Sequence, residues 1–369
     1  MAVPFDIRDL LHLASIPKVG NHRLRSLIAH FRHPRAVMAA SARELCGAEH
    51  IDRKIALAVA HAKPDQRFID DQLSRLNRVN GRIVTLWDEE YPSLLKRIYD
   101  PPVLLFVRGR FRPQDHYALG VVGTRHPSAY GRTVTERFTA ELVRLGVTAV
   151  SGLARGIDTA AHASALSAGG RTVAVIGSAL DAVYPPENRK LCDRIEEQGA
   201  VVSEFFMGTK LDPGNFPRRN RIISGMSHGL LIVESDFNGG AMITASTALD
   251  QNRELFAVPG NLGEKTSNGT NTLIKRGQAK LVQSVDDILD ELRSAFRPLL
   301  SESRRPLSPP PPLTLFEERV YSVLSAEPMH VDGISEASGM PPADTLVHLL
   351  TLEFKGAVKQ MAGKMFLRV

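Results

Sequence analysis

Residues 118–158 read ALGVVGTRHPSAYGRTVTERFTAELVRLGVTAVSGLARGID, and the rest of the chain is arranged around them. Leu119 to Val122 is a short apolar run suited to a buried strand, and Gly123 breaks it. Past Thr124-Arg125-His126-Pro127, the residues Val134, Phe138, Leu142 and Leu145 recur at spacings of three and four, as one face of a helix requires. Gly146 ends that helix. Val147 to Val150 make a second strand, and Ser151-Gly152-Leu153-Ala154-Arg155-Gly156 a second turn. Both turns bring glycine and arginine together at the carboxyl end of a strand, where open α/β sheets bind ligands. Glycine lets the backbone approach an anion, a helix amino end offers free N–H groups, and arginine supplies charge. The stretch reads as a phosphate cradle.

The alternation continues outward. Strands are expected at 119–122, 147–150, 172–176, 200–203, 229–233 and 254–258, and helices at 129–145, 157–168, 188–198, 219–226, 240–250 and 284–295. Strands separated by helices of this length imply right-handed crossovers and an α/β, mainly parallel, doubly wound Rossmann-like core. Residues 81–87 and 103–107 read as further strands of the same sheet, so the core is placed at 81–296. Residues 1–80 read as a small helical domain of SAM or helix-hairpin-helix type. The glycine turn at Gly20 either offers backbone N–H groups to a DNA phosphate or is a plain connection between helices. Residues 297–314, RPLLSESRRPLSPPPPLT, have four consecutive prolines and no apolar periodicity, and read as a semi-rigid linker. Residues 315–369 read as three helices and a short hairpin about Gly363, the pattern of a winged helix.

Composition bounds what such a chain does. At 369 residues, 43% hydrophobic and 23% charged, with a mean hydropathy of −0.11, it has the make-up of a soluble multidomain protein. No apolar run reaches membrane-spanning length and the amino end lacks signal-peptide regions, so a cytoplasmic location is expected. Cys46 and Cys192 have neither metal-like nor redox-like spacing and read as buried free thiols, with no metal site. The net charge of +6 permits an anionic partner. Residues 1–80 hold 13 Lys/Arg against 8 Asp/Glu, whereas residues 315–369 hold 5 against 7.

Several chemistries can be weighed on this frame. A dinucleotide fingerprint needs G-x-G-x-x-G at the first turn and an acid ending the second strand. Neither is present, the P-loop spacing is absent as well, and no cofactor is expected. Asp236 to Ser246, with Gly239, Gly240 and Thr244, resembles the glycine-rich helix start of lysine-decarboxylase-like phosphoribohydrolases. Ser246 stands where that group has a glutamate, which removes the stabiliser of an oxocarbenium-like transition state. Asp158 and His162, four apart on a helix, are either an acid–base pair or a helix cap with its buttress. The basic clusters suit a polyanion better: Arg125 and Arg132 about the first turn, Arg155 in the second, Arg189-Lys190, and Arg218-Arg219-Asn220-Arg221. Helix amino ends favour acids, so repeated arginines there point to an anion completing the site. Tyr130, Tyr184 and Phe216 lie among these clusters, either as core residues or as rings for stacking bases.

Seven segments, in order, resemble the DNA-processing protein A (DprA, or Smf) family. They are Gly123-Thr-Arg-His-Pro127, Ser151-Gly-Leu-Ala-Arg-Gly-Ile-Asp158, Val183-Tyr-Pro-Pro186, Phe216-Pro-Arg-Arg-Asn-Arg-Ile-Ile-Ser-Gly225, Gly239-Gly-Ala-Met-Ile-Thr-Ala245, Val258-Pro-Gly260 and Gly269-Thr-Asn271. The resemblance implies a non-catalytic single-stranded DNA-binding protein of natural transformation. Such a protein shields incoming strands, helps load the RecA recombinase and works as a homodimer. It also implies DNA contacts at Arg125, Lys190, Arg219 and Arg221. With the turn residues, the expected site comprises Gly123, Thr124, Arg125, Gly152, Arg155, Gly156, Lys190, Arg218, Arg219, Asn220, Arg221, Gly239, Gly240 and Thr244. The alternatives are a nucleoside-monophosphate phosphoribohydrolase and a winged-helix DNA-binding regulator. In the winged helix, the third helix carries Asp344 and Glu353 against Lys355, with Lys359, Lys364 and Arg368 on the hairpin, so a protein-contact or dimer-tuning role is expected over duplex reading.

Overall fold

Short helices lead the chain: α1 (Ile7–Ser15), α2 (Asn21–Phe31), α3 (Pro34–Ala39), α4 (Ala42–Leu45), α5 (Arg53–His61) and α6 (Gln66–Arg78). Carboxylates start three of them. Asp6, Asp52 and Asp65 accept the N–H groups of Arg8, Ile55 and Phe68 at 2.8–3.0 Å. The computed structural model describes residues 5–303, 313–325, 327–355, 357–361 and 363–368, in two units, Met1–Ser301 and Glu302–Val369.

The helices do not close a core of their own. Leu10, Leu24, Ile55 and Ile69 belong to one apolar cluster with Val103, Phe106, Leu180, Val201 and Met207 of the sheet and its loops. Buried Gln72 seals the join, donating to the Met207 carbonyl at 3.1 Å and accepting its N–H at 2.8 Å. The boundary expected at 80 is a change of secondary structure across which packing runs on.

The core follows as β1 (Arg82–Thr85), β2 (Leu104–Gly109), β3 (Ala118–Val122), α7 (Ala129–Arg144), β4 (Thr148–Ser151), α8 (Ile157–Ser167), β5 (Thr172–Val175), α9 (Arg189–Gln198), β6 (Ala200–Ser203), α10 (Asn215–Gly225), β7 (Gly229–Ile232), α11 (Gly240–Asp250), β8 (Glu254–Ala257), α12 (Asn268–Lys275), β9 (Lys280–Leu281), α13 (Val285–Glu291) and α14 (Arg293–Ser303). Nine strands order as β1-β2-β6-β5-β4-β3-β7-β8-β9. From β6 to β9 every pairing is parallel, and β1 and β2 add an antiparallel edge. This is the doubly wound sheet that the alternation implies. The chain leaves β3 toward β6, returns across the sheet and resumes at β7, so the loops after β3 and β7 diverge and open a crevice.

A buried cation ties the opposite, amino edge. Arg171 donates to Asp115 at 2.6 and 2.8 Å, to the Gln198 carbonyl at 2.9 Å and to the Arg110 carbonyl. Thr148 donates to the same carboxylate at 3.1 Å. The starts of β3, β4, β5 and β6 therefore meet at one ion pair, both partners of which are less than a tenth exposed.

Three expectations need correction. Of the two thiols read as buried, Cys192 is, but Cys46 is exposed where it ends α4. Residues 297–303, read as the start of the linker, continue α14, because Leu292, Phe296 and Leu299 carry a buried helical stripe past Pro298. Residues 304–312 of that linker lie outside the described residues. Helix α10 begins at Asn215 rather than 219, since Pro217 sits in the first turn, where its missing N–H has no helical partner to lose.

The second unit comprises α15 (Leu315–Val323), β10 (Met329–His330), α16 (Val331–Ser338), α17 (Pro342–Phe354), β11 (Val358–Met361) and β12 (Met365–Arg368), with strand order β10-β12-β11. Val320, Leu324, Ile334, Leu349, Leu352 and Phe366 form its core. Helix α17 exposes Val347, Leu350 and Phe354, and Arg368 lies over the Tyr321 ring at 4.2 Å.

Candidate nucleic-acid interface

The crevice at the carboxyl edge is a cleft of about 440 Å³ between the loops after β3 and β7. Gly123, Thr124, Arg125, Arg219, Asn220, Gly239, Gly240 and Thr244, eight of the expected site residues, line it together with Asp158, Phe216 and Asp236. Helix α11 points its amino end here. Gly239 precedes it as the cap residue and Gly240 is its first, no side chain caps its N–H groups, and the space above Gly240 is open. Uncapped N–H groups at a helix amino end, reached past glycine, are a place for an anion.

Each turn is held by specific contacts. After β3, the α7 cap Ser128 donates to Glu234, whose carboxylate also accepts the Ser128 N–H at 2.9 Å. Thr124 N–H donates to the Glu234 carbonyl at 2.7 Å, so the end of β7 pins the first turn. Gly156, with φ +80°, lets the second turn lie on the backbone of Thr124 and Arg125, where a Cβ would overlap both. Gly269 N–H donates to the Ser235 carbonyl at 2.8 Å, which brings the Gly-Thr-Asn segment of α12 under the β7 loop.

Asp158 and His162 are not an acid–base pair. Asp158 accepts the N–H groups of Gly152 and Ala154 at 3.1 and 3.3 Å, capping the second turn. His162 is fully buried and hydrogen-bonded to Thr172 Oγ1 at 2.7 Å, and burial pushes its pKa down to about 3, so the ring is neutral. Burial raises Asp158, and the neighbouring Arg219 opposes that rise.

The expected cations divide sharply. Arg219 turns inward and is 4% exposed. It donates to the carbonyls of Gly152 and Val175, tying the ends of β4 and β5, and burial pulls its pKa down to about 10, still cationic at neutral pH. It forms the positive floor of the cleft, held by backbone carbonyls rather than presented to solvent. Arg221 pairs with buried Glu204 and lies 3.7 Å from Asp100, and Arg155 pairs with Glu187. Both are engaged by acids that lie distant in sequence.

Arg125, Lys190 and Arg218 are exposed, with no ion pair recorded for them among the described residues. Arg125 lies over the Phe216 ring at 5.5 Å and Arg218 over Phe205 at 5.3 Å. Phe216 also approaches Tyr184, ring centres 6.1 Å apart. Lys190 stands on the first turn of α9, outside the cleft lining, and Asn188 before it donates to the Leu153 carbonyl at 2.9 Å, joining that turn to the second loop. Residue spacing did not pick out Phe205 or Asp236. The first lies under Arg218, and the second faces the cleft with Lys265 at 3.6 Å.

Comparisons with known proteins identify the family. A model of the DNA recombination-mediator protein A family matches residues 82–293, and one of the DprA winged helix domain matches 304–364. Protein Smf of Escherichia coli is 37% identical over 302 residues, 81% of this chain and 80% of its own length. The DNA processing protein DprA of Bacillus subtilis is 43% identical over 210 residues, 57% of this chain and 70% of its own. The crystal structure of DNA processing protein A from Streptococcus pneumoniae superposes with a TM-score of 0.68 at 31% identity, covering 79% of this chain and 99% of that one. DNA processing protein A from Helicobacter pylori, solved for its single-stranded DNA binding mode, superposes at 0.52 and 30% identity over 58% of this chain and 96% of its own. With the core model covering more than half of its residues and relatives this similar along four-fifths of it, the chain belongs to the DNA recombination-mediator protein A family.

Proposed function

We propose that this protein binds single-stranded DNA by its phosphates along the carboxyl edge of the sheet. The observation that carries the reading is the cleft itself. Uncapped N–H groups of α11, glycine at each turn, a buried cationic floor and exposed Arg125 stacked on Phe216 converge on one crevice. Stacked rings beside a cationic track suit bases of any identity, so little sequence preference follows. The single-stranded DNA binding mode of the Helicobacter pylori relative supports the same ligand.

The bound strand is a substrate of DNA processing in transformation, to be passed to the RecA recombinase by a homodimer. The family resemblance supports these steps. Binding proceeds without catalysis. Asp158 is occupied as a cap, His162 is sealed in the core, and Ser246 stands where the phosphoribohydrolase pattern has a carboxylate. Among the described residues no helix is long and apolar enough to cross a membrane, and no group of three metal-ligating side chains occurs. For the winged helix, the exposed Val347, Leu350 and Phe354 on α17 and the stacking of Arg368 on Tyr321 support protein contact rather than duplex reading.

The test is oligo-dT affinity against salt for the wild type and an Arg125→Ala, Lys190→Ala variant. Each phosphate contact contributes about 0.7 to the slope of log affinity on log salt for a single strand, so the variant's slope should be shallower by about 1.4. An unchanged slope and affinity in the folded variant overturns the proposal. Turnover of a nucleoside monophosphate by pure protein would replace it with the hydrolase reading.

A further inference from the structure

The amino-terminal helices hold a cleft of their own. Between α2 and the loop after α4 lies a cleft of about 390 Å³ lined by His22, Arg25, Ser26, His30, Glu49 and His50. It is a built feature. Arg23 donates to the carbonyls of Lys18 at 2.9 Å and His50 at 3.4 Å, and Ser26 donates to the Glu49 carbonyl, so α2 holds both flanking loops. Lys18 and His50 have φ of 71° and 61°, left-handed conformations that L residues rarely take without such support.

Tyr99 stands at its edge. The ring is 83% exposed, lies stacked on His22 at 5.8 Å and 30°, and its own carbonyl is held by Arg25 at 3.1 Å. His22 in turn meets His50 edge-on at 4.3 Å. An exposed tyrosine held on a second ring, with arginine beside it, is the arrangement by which proteins stack unpaired bases. The only carboxylate lining this cleft is Glu49, which pairs with His50 at 3.3 Å, while residues 1–80 carry the chain's excess of basic side chains.

Continuity with the sheet cleft comes through α10. Arg125 stacks on Phe216, Arg218 stands one turn from Arg221, and Arg221 reaches Asp100, the residue after Tyr99. Asn21, at the start of α2, donates to Glu204, the partner of Arg221, and accepts the Val103 N–H at 3.0 Å. These contacts join the α10 side of the sheet cleft to the segment that carries Tyr99.

We infer that the amino-terminal helices hold a second stretch of the same single strand, its bases on Tyr99 and His22 and its phosphates on Arg25 and Lys18. The inference rests on the binding reading for the sheet cleft and lengthens it. Two oligo-dT lengths, roughly 6 and roughly 20 nucleotides, separate the two clefts in the full chain, since single-strand footprints span about 4–16 nucleotides per binding fold. A Tyr99→Ala, His22→Ala variant should bind the short strand as the wild type does and the long one about tenfold more weakly, from the loss of stacking. Tyr99→Phe, which keeps the ring, should restore the long-strand affinity. A 5-iodouracil near the free end of the long strand should crosslink to Tyr99, read by peptide mass spectrometry. Equal long-strand affinity in wild type and double variant, or crosslinks confined to Tyr130, Tyr184 and Phe216, overturns the inference and leaves the sheet cleft standing. Failure of the wild type to bind either length overturns both.

Discussion

Replacement of Arg219 by alanine should damage the fold before it damages binding. The guanidinium is 4% exposed, bonds the carbonyls of Gly152 and Val175, and lies beside the buried Asp158 carboxylate. Its removal leaves a buried charge without its counter-charge, a change that costs about 3–5 kcal/mol when one partner of a buried pair is lost. Each orphaned carbonyl adds about 1 kcal/mol or more unless water replaces the donor. Adding Asp158→Asn removes the charge while keeping an oxygen for the N–H groups of Gly152 and Ala154, so the double variant should recover part of the loss. The expected coupling is about 1–3 kcal/mol. Urea unfolding followed by the fluorescence of the single tryptophan, Trp87, which packs against both apolar faces of the sheet, reads this unit directly. If Arg219→Ala unfolds at the wild-type urea concentration and loses only DNA affinity, Arg219 is a ligand contact and the argument from burial fails.

Buried neutral His162 gives a pH dependence with a definite sign. Its folded pKa, about 3, lies below the ordinary 6.5, so its contribution to stability is complete above about pH 6.5 and falls as pH drops toward 3, by at most about 1.4 kcal/mol per pH unit. His162→Gln should flatten the fall in urea midpoint between pH 7 and 5; identical slopes would show that the ring is not the group responsible. Gly156→Ala should cost about 1–3 kcal/mol from its strained φ alone and more from overlap with Thr124 and Arg125, with a parallel loss of oligo-dT affinity as Arg125 moves. Gly169→Ala, at φ +71° but facing open space, should cost about 1 kcal/mol and leave binding unchanged; equal effects at the two glycines would contradict the packing of one turn on the other.

The architecture was legible where hydrophobic period and turn chemistry agree. From β3 to β8 each strand is a four- or five-residue, largely apolar run bounded by glycine or a polar turn, and each lies within a residue of where its pattern places it, whereas the two-residue β9 and β10 carry no such pattern. Helix α12, Asn268–Lys275, has glycine, threonine and asparagine in its first turns, residues of weak helix propensity, and declares itself only through packing under the β7 loop. The gathering of Gly123, Arg125, Asn220, Gly239 and Thr244 was legible because all sit at carboxyl ends of strands or within the first two turns of the helices that follow. The split among the arginines was less so. Yet Asn215, Arg219, Ile222 and Met226 recur at helical spacing, so Arg219 lies on the buried stripe of α10, and that periodicity was available. The pairing of Arg221 with Glu204 and Asp100, and of Arg155 with Glu187, is set by tertiary folding and has no local mark. Nor does any local pattern say that the amino-terminal helices share their core with the sheet.

The sheet is laced by a buried guanidinium at each rim: Arg171 gathers the starts of four strands and Arg219 the ends of two. Strands cross-tied at both rims have little freedom to fan apart or slide, so the platform beneath the cleft is a stiff one. A stiff host accepts a flexible chain without first rearranging, and the ordering entropy of the encounter falls on the guest. Association should then be governed by diffusion and by the field of the basic rim, and differences among strands of unequal length should appear in how slowly they leave.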